Sequence, residues 1–134
     1  MAGFRPDEGE VVSGEMLLQR VLGDRDADLE IGLFTNAAPG ETITELTITE
    51  PTGGGYARKT LSDVSWTKAA NVFSYAAQTF TPVGVNWTGV QGYFIATKSA
   101  VGTQRLLVVE VDANGPYTII DGNDYAITPQ ITVL

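Results

Sequence analysis

The chain contains no cysteine and no histidine. Without cysteine there are no disulfides and no thiolate metal sites, so the fold must hold by packing alone. The same absence is compatible with either redox compartment. Without histidine, the usual general base at neutral pH is missing. So are the Ser-His and Cys-His nucleophile systems and the commonest transition-metal ligand. Bases are scarce as well: eight Lys and Arg stand against sixteen Asp and Glu. An acidic surface repels phosphate backbones and anionic lipid, which argues against nucleic acid and membrane as partners. No run approaches the ~18 apolar residues of a membrane span. The stretch Met1 to Glu10 has neither the basic start nor the apolar centre of a secretion signal, so Sec export is not expected.

What is present fits one domain. The chain has 134 residues, of which 43% are hydrophobic, enough to bury a core. The formal charge of −8 is unevenly placed. Residues 1–50 carry eleven acids and three bases, whereas residues 51–134 carry five of each. Residues 1–12 are expected as an extended N-terminal arm, because Pro6 and the low apolar content suit no core element. Residues 13–134 are expected as a single β-sandwich domain. Within it the pattern predicts a helix over 13–22: Ser13 can cap, Leu17, Leu18, Val21 and Leu22 form a stripe, and Gly23 ends it.

From Leu29 the period changes. Leu29, Ile31 and Leu33 alternate with Glu30, Gly32 and Phe34, as in a half-buried strand. Ile43 to Thr49 alternates again, and Glu50 to Gly55 reads as a flexible break. Tyr56–Leu61, Val64–Thr67, Val72–Thr81, Val90–Thr97, Arg105–Asp112, Tyr117–Ile120 and Tyr125–Val133 all read as strands. Turn residues such as Asn114-Gly115-Pro116 and Asp121-Gly122-Asn123 separate them. Many short strands with one early helix predict an all-β, mainly antiparallel fold, a β-sandwich or jelly-roll-like architecture with one short N-terminal helix.

Few motifs point to chemistry. Gly53-Gly54-Gly55-Tyr56-Ala57-Arg58-Lys59-Thr60 fails the phosphate-loop spacing and reads as a hinge anchored by Tyr56. Asp24, Asp26 and Asp28 begin like an EF-hand, but Leu29 and Thr35 stand where Gly and Glu are needed. The acidic turns at Asp112 and Asp121 read as Asx turns. No catalytic, cofactor-binding or metal-ligating residue is assigned, and the expectation is a binding protein without enzymatic activity. Trp66, Trp87, Tyr75 and Tyr93 read mostly as core, with one or two available as interface anchors. A carbohydrate-binding domain is the alternative of another class; it requires Trp66 and Trp87 to line one exposed face.

Several segments in order carry a resemblance. Asp7-Glu8-Gly9-Glu10 precedes a Leu-rich stretch and Leu29-Glu30-Ile31-Gly32-Leu33-Phe34-Thr35-Asn36. Thr49-Glu50-Pro51-Thr52-Gly53-Gly54-Gly55-Tyr56-Ala57 follows with Leu61, then Trp66-Thr67, Thr79-Phe80-Thr81 and Gly92-Tyr93-Phe94. Over residues 7–112 this set resembles small virion proteins of tailed bacteriophages. The resemblance implies a capsid decoration or cement protein, made in the bacterial host cytoplasm and located on the capsid surface. Its implied partner is the major capsid protein, its implied state a homo-oligomer (dimer or trimer), and no catalytic residue carries over. A tail, collar or fibre-associated adaptor is the alternative within the same class. Interface residues are expected on the arm (Phe4, Arg5, Asp7, Glu8, Glu10) and at Tyr56 beside the glycines, since arms and loops carry function while strands carry the core.

Overall fold

Two long strands set the fold. Leu29–Phe34 (β2) and Gly92–Thr97 (β8) are rich in branched and aromatic side chains, and they pair antiparallel along their whole length, with Ile31 opposite Ile95 and Leu33 opposite Tyr93. The computed structural model describes residues 2–14, 28–62, 65–98 and 104–132. In chain order the other elements are β1 (Ala2–Phe4), α1 (Asp7–Gly14), β3 (Lys59–Leu61), β4 (Thr67–Ala69), β5 (Val72–Ser74), β6 (Gln78–Phe80) and β7 (Trp87–Val90). After β8 come β9 (Leu106–Val111), β10 (Tyr117–Ile119), β11 (Tyr125–Ile127) and β12 (Gln130–Thr132). The fold is mostly antiparallel β with one short helix among the described residues.

A five-stranded sheet, in the order β1-β9-β8-β2-β3, forms the centre. The remaining strands make three smaller sheets, β7 with β10, β6 with β11, and β4-β5-β12. One face of the central sheet presents Ile31, Leu33, Tyr93, Ile95 and Val108. These join a cluster with Phe80, Trp87, Ile119 and Ile127 from the smaller sheets. The opposite face gathers Phe34, Phe94, Ala96, Leu106 and Val109 beneath Ile43 and Ile48. The alternation in β2 predicts a half-buried strand; instead β2 is covered on both faces, because residues 35–58 fold back over the second one. Burial on both sides explains the near-continuous apolar text of β8.

Other sequence expectations change for identifiable reasons. Ile43–Thr49 forms no strand. The Thr47 hydroxyl accepts from Thr44 N at 2.9 Å and Ile48 N donates to Thr44 O at 2.9 Å, a compact turn. Local side-chain bonds of this kind compete with a sheet ladder. Val72–Thr81 divides into β5 and β6, and Tyr125–Val133 into β11 and β12 around Pro129, which has no N–H to donate. Of the helix expected over 13–22, only Ser13 and Gly14 are helical among the described residues; residues 15–22 lie outside them.

Of the extended arm expected over residues 1–12, residues 2–12 instead hold β1 and most of α1. β1 pairs antiparallel with β9, setting Gly3 opposite Glu110. The Pro6 carbonyl then accepts the first helical bond, from Glu10 N at 3.0 Å, and Asp7 N donates to Glu41 O at 2.9 Å. Asp7, Glu8 and Glu10 sit in the first turn, where carboxylates suit the positive end of the helix dipole. Two glycines and only eight residues make α1 a weak helix by itself, so docking must hold it. Gly9 permits that docking: a Cβ there would lie 2.5 Å from Leu107 O.

Candidate functional site

A cleft of about 710 Å³ opens where the edge of the central sheet meets the edge of the β4-β5-β12 sheet. β1 forms one side and β12 the other. Val108 and Ile131 give the cleft an apolar component, while Arg5, Glu10, Glu41 and Glu110 supply charge. Three carboxylates therefore face one guanidinium. Among the described residues, none of these four charged side chains takes part in an ion pair.

Glu110 is held in place by a neighbour on β8. The Tyr93 hydroxyl donates to Glu110 Oε2 in a short hydrogen bond, and the same hydroxyl accepts from Gln130 N at 3.4 Å. One buried phenol thus ties the floor of the cleft to its β12 wall. Burial first, and then the Glu110 carboxylate, push the Tyr93 pKa well above the usual phenol range, so this hydroxyl stays a donor.

A second polar cluster lies on the other side of the central sheet. Arg58 places Nη1 2.8 Å from Glu30, and Nη2 2.9 Å from both Glu45 and Glu50. Its Nε donates to Glu50 Oε1 at 3.0 Å and Nη1 also reaches Gln104 Oε1 at 3.5 Å. All the donors of a guanidinium are engaged. The group also stacks 4.8 Å from the centroid of Phe94. Burial opposes the charge on Arg58, but the bonds to Glu50, Glu30 and Glu45 outweigh it and raise its pKa above the ordinary value. Tyr56 completes the cluster. Its hydroxyl donates to Glu50 Oε1 at 2.6 Å and accepts from Leu33 N at 2.9 Å. With its donors saturated by protein, this cluster holds the fold.

Of the residues expected at an interface, the cleft brings together Phe4, Arg5 and Glu10. Asp7 is exposed beside them on α1. Glu8 points elsewhere: Oε2 accepts from Glu45 N at 3.0 Å and Leu106 N at 2.9 Å, binding α1 to the loop and to β9. Tyr56 belongs to the Arg58 cluster. The glycines before it are no loose hinge, since Trp87 Nε1 donates to Gly53 O at 3.1 Å and Val83 N to Gly54 O at 3.1 Å.

Glu41, Glu110 and the β12 residues escaped sequence reasoning because pairing across the sheets brings them to the cleft, and no local pattern encodes that. Arg58 had a signal, being the first base after Arg25, beyond a stretch holding six acids. Trp87 is buried and Trp66 half-buried against Tyr75, so the two do not line one exposed face. No group of acids suited to holding a metal ion occurs among the described residues. Within Asp24–Asp28, only Asp28 is described. Asp112 makes the expected Asx turn, accepting from Asn114 N at 3.0 Å. No described helix is long and apolar enough to cross a membrane. Compared with family models, with curated proteins and with solved structures, the chain gives no match in any of the three.

Proposed function

We propose that this chain is a structural protein of a tailed-phage particle that decorates the outer surface of the capsid shell. It binds the major capsid protein as a dimer or trimer and acts by adding contact area, without catalysis. The observation that carries a binding role is the acidic cleft between two sheet edges, formed in part by Phe4, Arg5 and Glu10. The ordered likeness of residues 7–112 to small virion proteins directs that role to a phage shell. A β-sandwich belongs to the same reading. It is supported by the cluster that joins side chains of the central sheet to Phe80, Trp87, Ile119 and Ile127 of the smaller sheets.

The physical case is one of repetition. A standard interface buries roughly 1,600 Å² in total, and a shell repeats each contact over many symmetry-related sites. An acidic body favours basic patches on the partner and keeps the free protein soluble. Co-sedimentation of the purified protein with undecorated shells tests the assignment. Saturable binding to shells is expected. Binding to isolated tails but not to shells would replace it with the tail or collar adaptor.

A further inference from the structure

We propose that the cleft receives a basic, extended segment of a partner protein, which adds to β1 as a further strand. β1 is an edge strand of the central sheet, bonded to β9 on one side only among the described residues. The backbone groups of an edge strand that face away from its neighbour are a template for another chain. Edges are commonly blunted by lysine, proline or inward-pointing charge. Ala2-Gly3-Phe4 carries none of these, and Arg5 and Pro6 come only after the strand ends.

The walls specify the occupant. A bound strand points alternate side chains to opposite sides. The lining offers Val108 and Ile131 to its apolar side chains and Glu10, Glu41 and Glu110 to its basic ones. Main-chain bonds to an edge supply affinity and the alternating side chains supply selectivity. Three carboxylates against the single Arg5 leave the cleft two negative charges in excess. Glu10 and Glu41 are exposed and make no ion pair among the described residues, so a partner's Lys or Arg finds them available. An acidic or neutral segment would lack this attraction. The inference deepens the proposed binding role and rests on it only so far as both require a protein partner.

The test uses the full chain and a fluorescein-labelled peptide of alternating Lys and Val, with binding read by anisotropy. Two variant pairs change net charge by the same amount. E10Q/E41Q alters the cleft, whereas T88K/T118K adds positive charge at exposed positions on β7 and β10. Saturable binding is expected, weakened about fivefold by E10Q/E41Q and much less by T88K/T118K. The same peptide N-methylated at alternate residues, and one of alternating Glu and Val, should not bind. Equal weakening by both variant pairs, undiminished binding of the N-methylated peptide, or no binding of the Lys-Val peptide would each overturn the proposal. Shell co-sedimentation keeps the two ideas apart. If shells bind and the peptide does not, only the strand-addition idea falls. If the peptide binds and shells do not, only the capsid assignment falls.

Discussion

Arg58 and Glu30 meet at 2.8 Å although 28 residues separate them in the chain. Glu30 lies on β2 and is buried, a costly place for a carboxylate unless it is paired. The same guanidinium holds Glu45 and Glu50, so one residue fixes the 35–58 fold-back against the sheet. Removing it would leave three carboxylates without their cation. Arg58→Met should therefore cost about 3 kcal/mol in urea unfolding. Glu30→Gln should cost less, because Arg58 keeps two of its acidic partners and the amide can still accept a bond. A larger loss for Glu30→Gln than for Arg58→Met would contradict this account.

Glu8 performs a similar task at the N-terminus, with one carboxylate oxygen accepting from the backbone of both Glu45 and Leu106. Glu8→Ala removes the acceptor of both bonds and should cost about 2 kcal/mol. Hydrogen exchange offers a specific readout. The amides of Glu45 and Leu106 should lose protection in Glu8→Ala more than those in the middle of β8. Glu8→Gln, which keeps an oxygen acceptor, should restore most of it.

The contrast between Glu8 and Glu10 shows where sequence reasoning stops. Both stand in an acidic, polar segment, and both read as solvent-facing contact residues. One faces the cleft and the other ends in backbone bonds to residues 37 and 98 positions away. Such distant partners leave no trace in local periodicity. Four strands of the central sheet, β2, β3, β8 and β9, were legible because branched and aromatic residues cluster between turn signals, whereas β1 fell in the stretch read as an arm. The Thr-rich stretch 43–49 misled for the opposite reason. Its β-branched residues favour a strand in general, yet here their hydroxyls close a turn and Ile43 and Ile48 cap a sheet face. The absence of histidine and cysteine narrowed the chemistry from composition alone. The cleft was not legible in the sequence, because it exists only where two sheet edges converge.

The tyrosines give the protein an alkaline limit. Tyr93 is buried against Glu110, Tyr56 bonds Glu50, and Tyr125 bonds Asp112. In each, burial first and then the carboxylate raise the pKa above the phenol value. A folded pKa above the unfolded one means that folding favours the protonated phenol. This contribution is fully present below the unfolded value of about 10 and is lost as pH rises beyond it toward the folded value. Stability should fall above about pH 10, with each tyrosine adding a slope of up to about 1.4 kcal/mol per pH unit. Tyr93→Phe should lower stability at neutral pH by about 1 kcal/mol and make the alkaline decline shallower. Denaturant midpoints across the alkaline range check both parts; an unchanged slope in Tyr93→Phe would assign the decline to other groups.

The glycine triplet separates two costs that are usually mixed. Gly54 and Gly55 both have left-handed backbone, with φ of +61° and +74°. An alanine at either position carries the strain of that conformation, roughly 1–2 kcal/mol. Around Gly55 there is open space, so strain is the whole effect. At Gly54 a Cβ would also lie 2.9 Å from Val85 Cγ2, 3.1 Å from Trp87 Nε1 and 3.2 Å from Val83 N. Two of those neighbours are bonded to the triplet: Val83 N donates to Gly54 O and Trp87 Nε1 to Gly53 O, so yielding to the methyl disturbs both bonds. Gly54→Ala should therefore cost about 1–3 kcal/mol more than Gly55→Ala. It should also shift the fluorescence of the buried indole at Trp87, which Gly55→Ala should leave unchanged. Equal losses in the two variants would mean that the 82–87 segment moves freely around the added methyl, and that the triplet is only a turn and not a seat for Trp87.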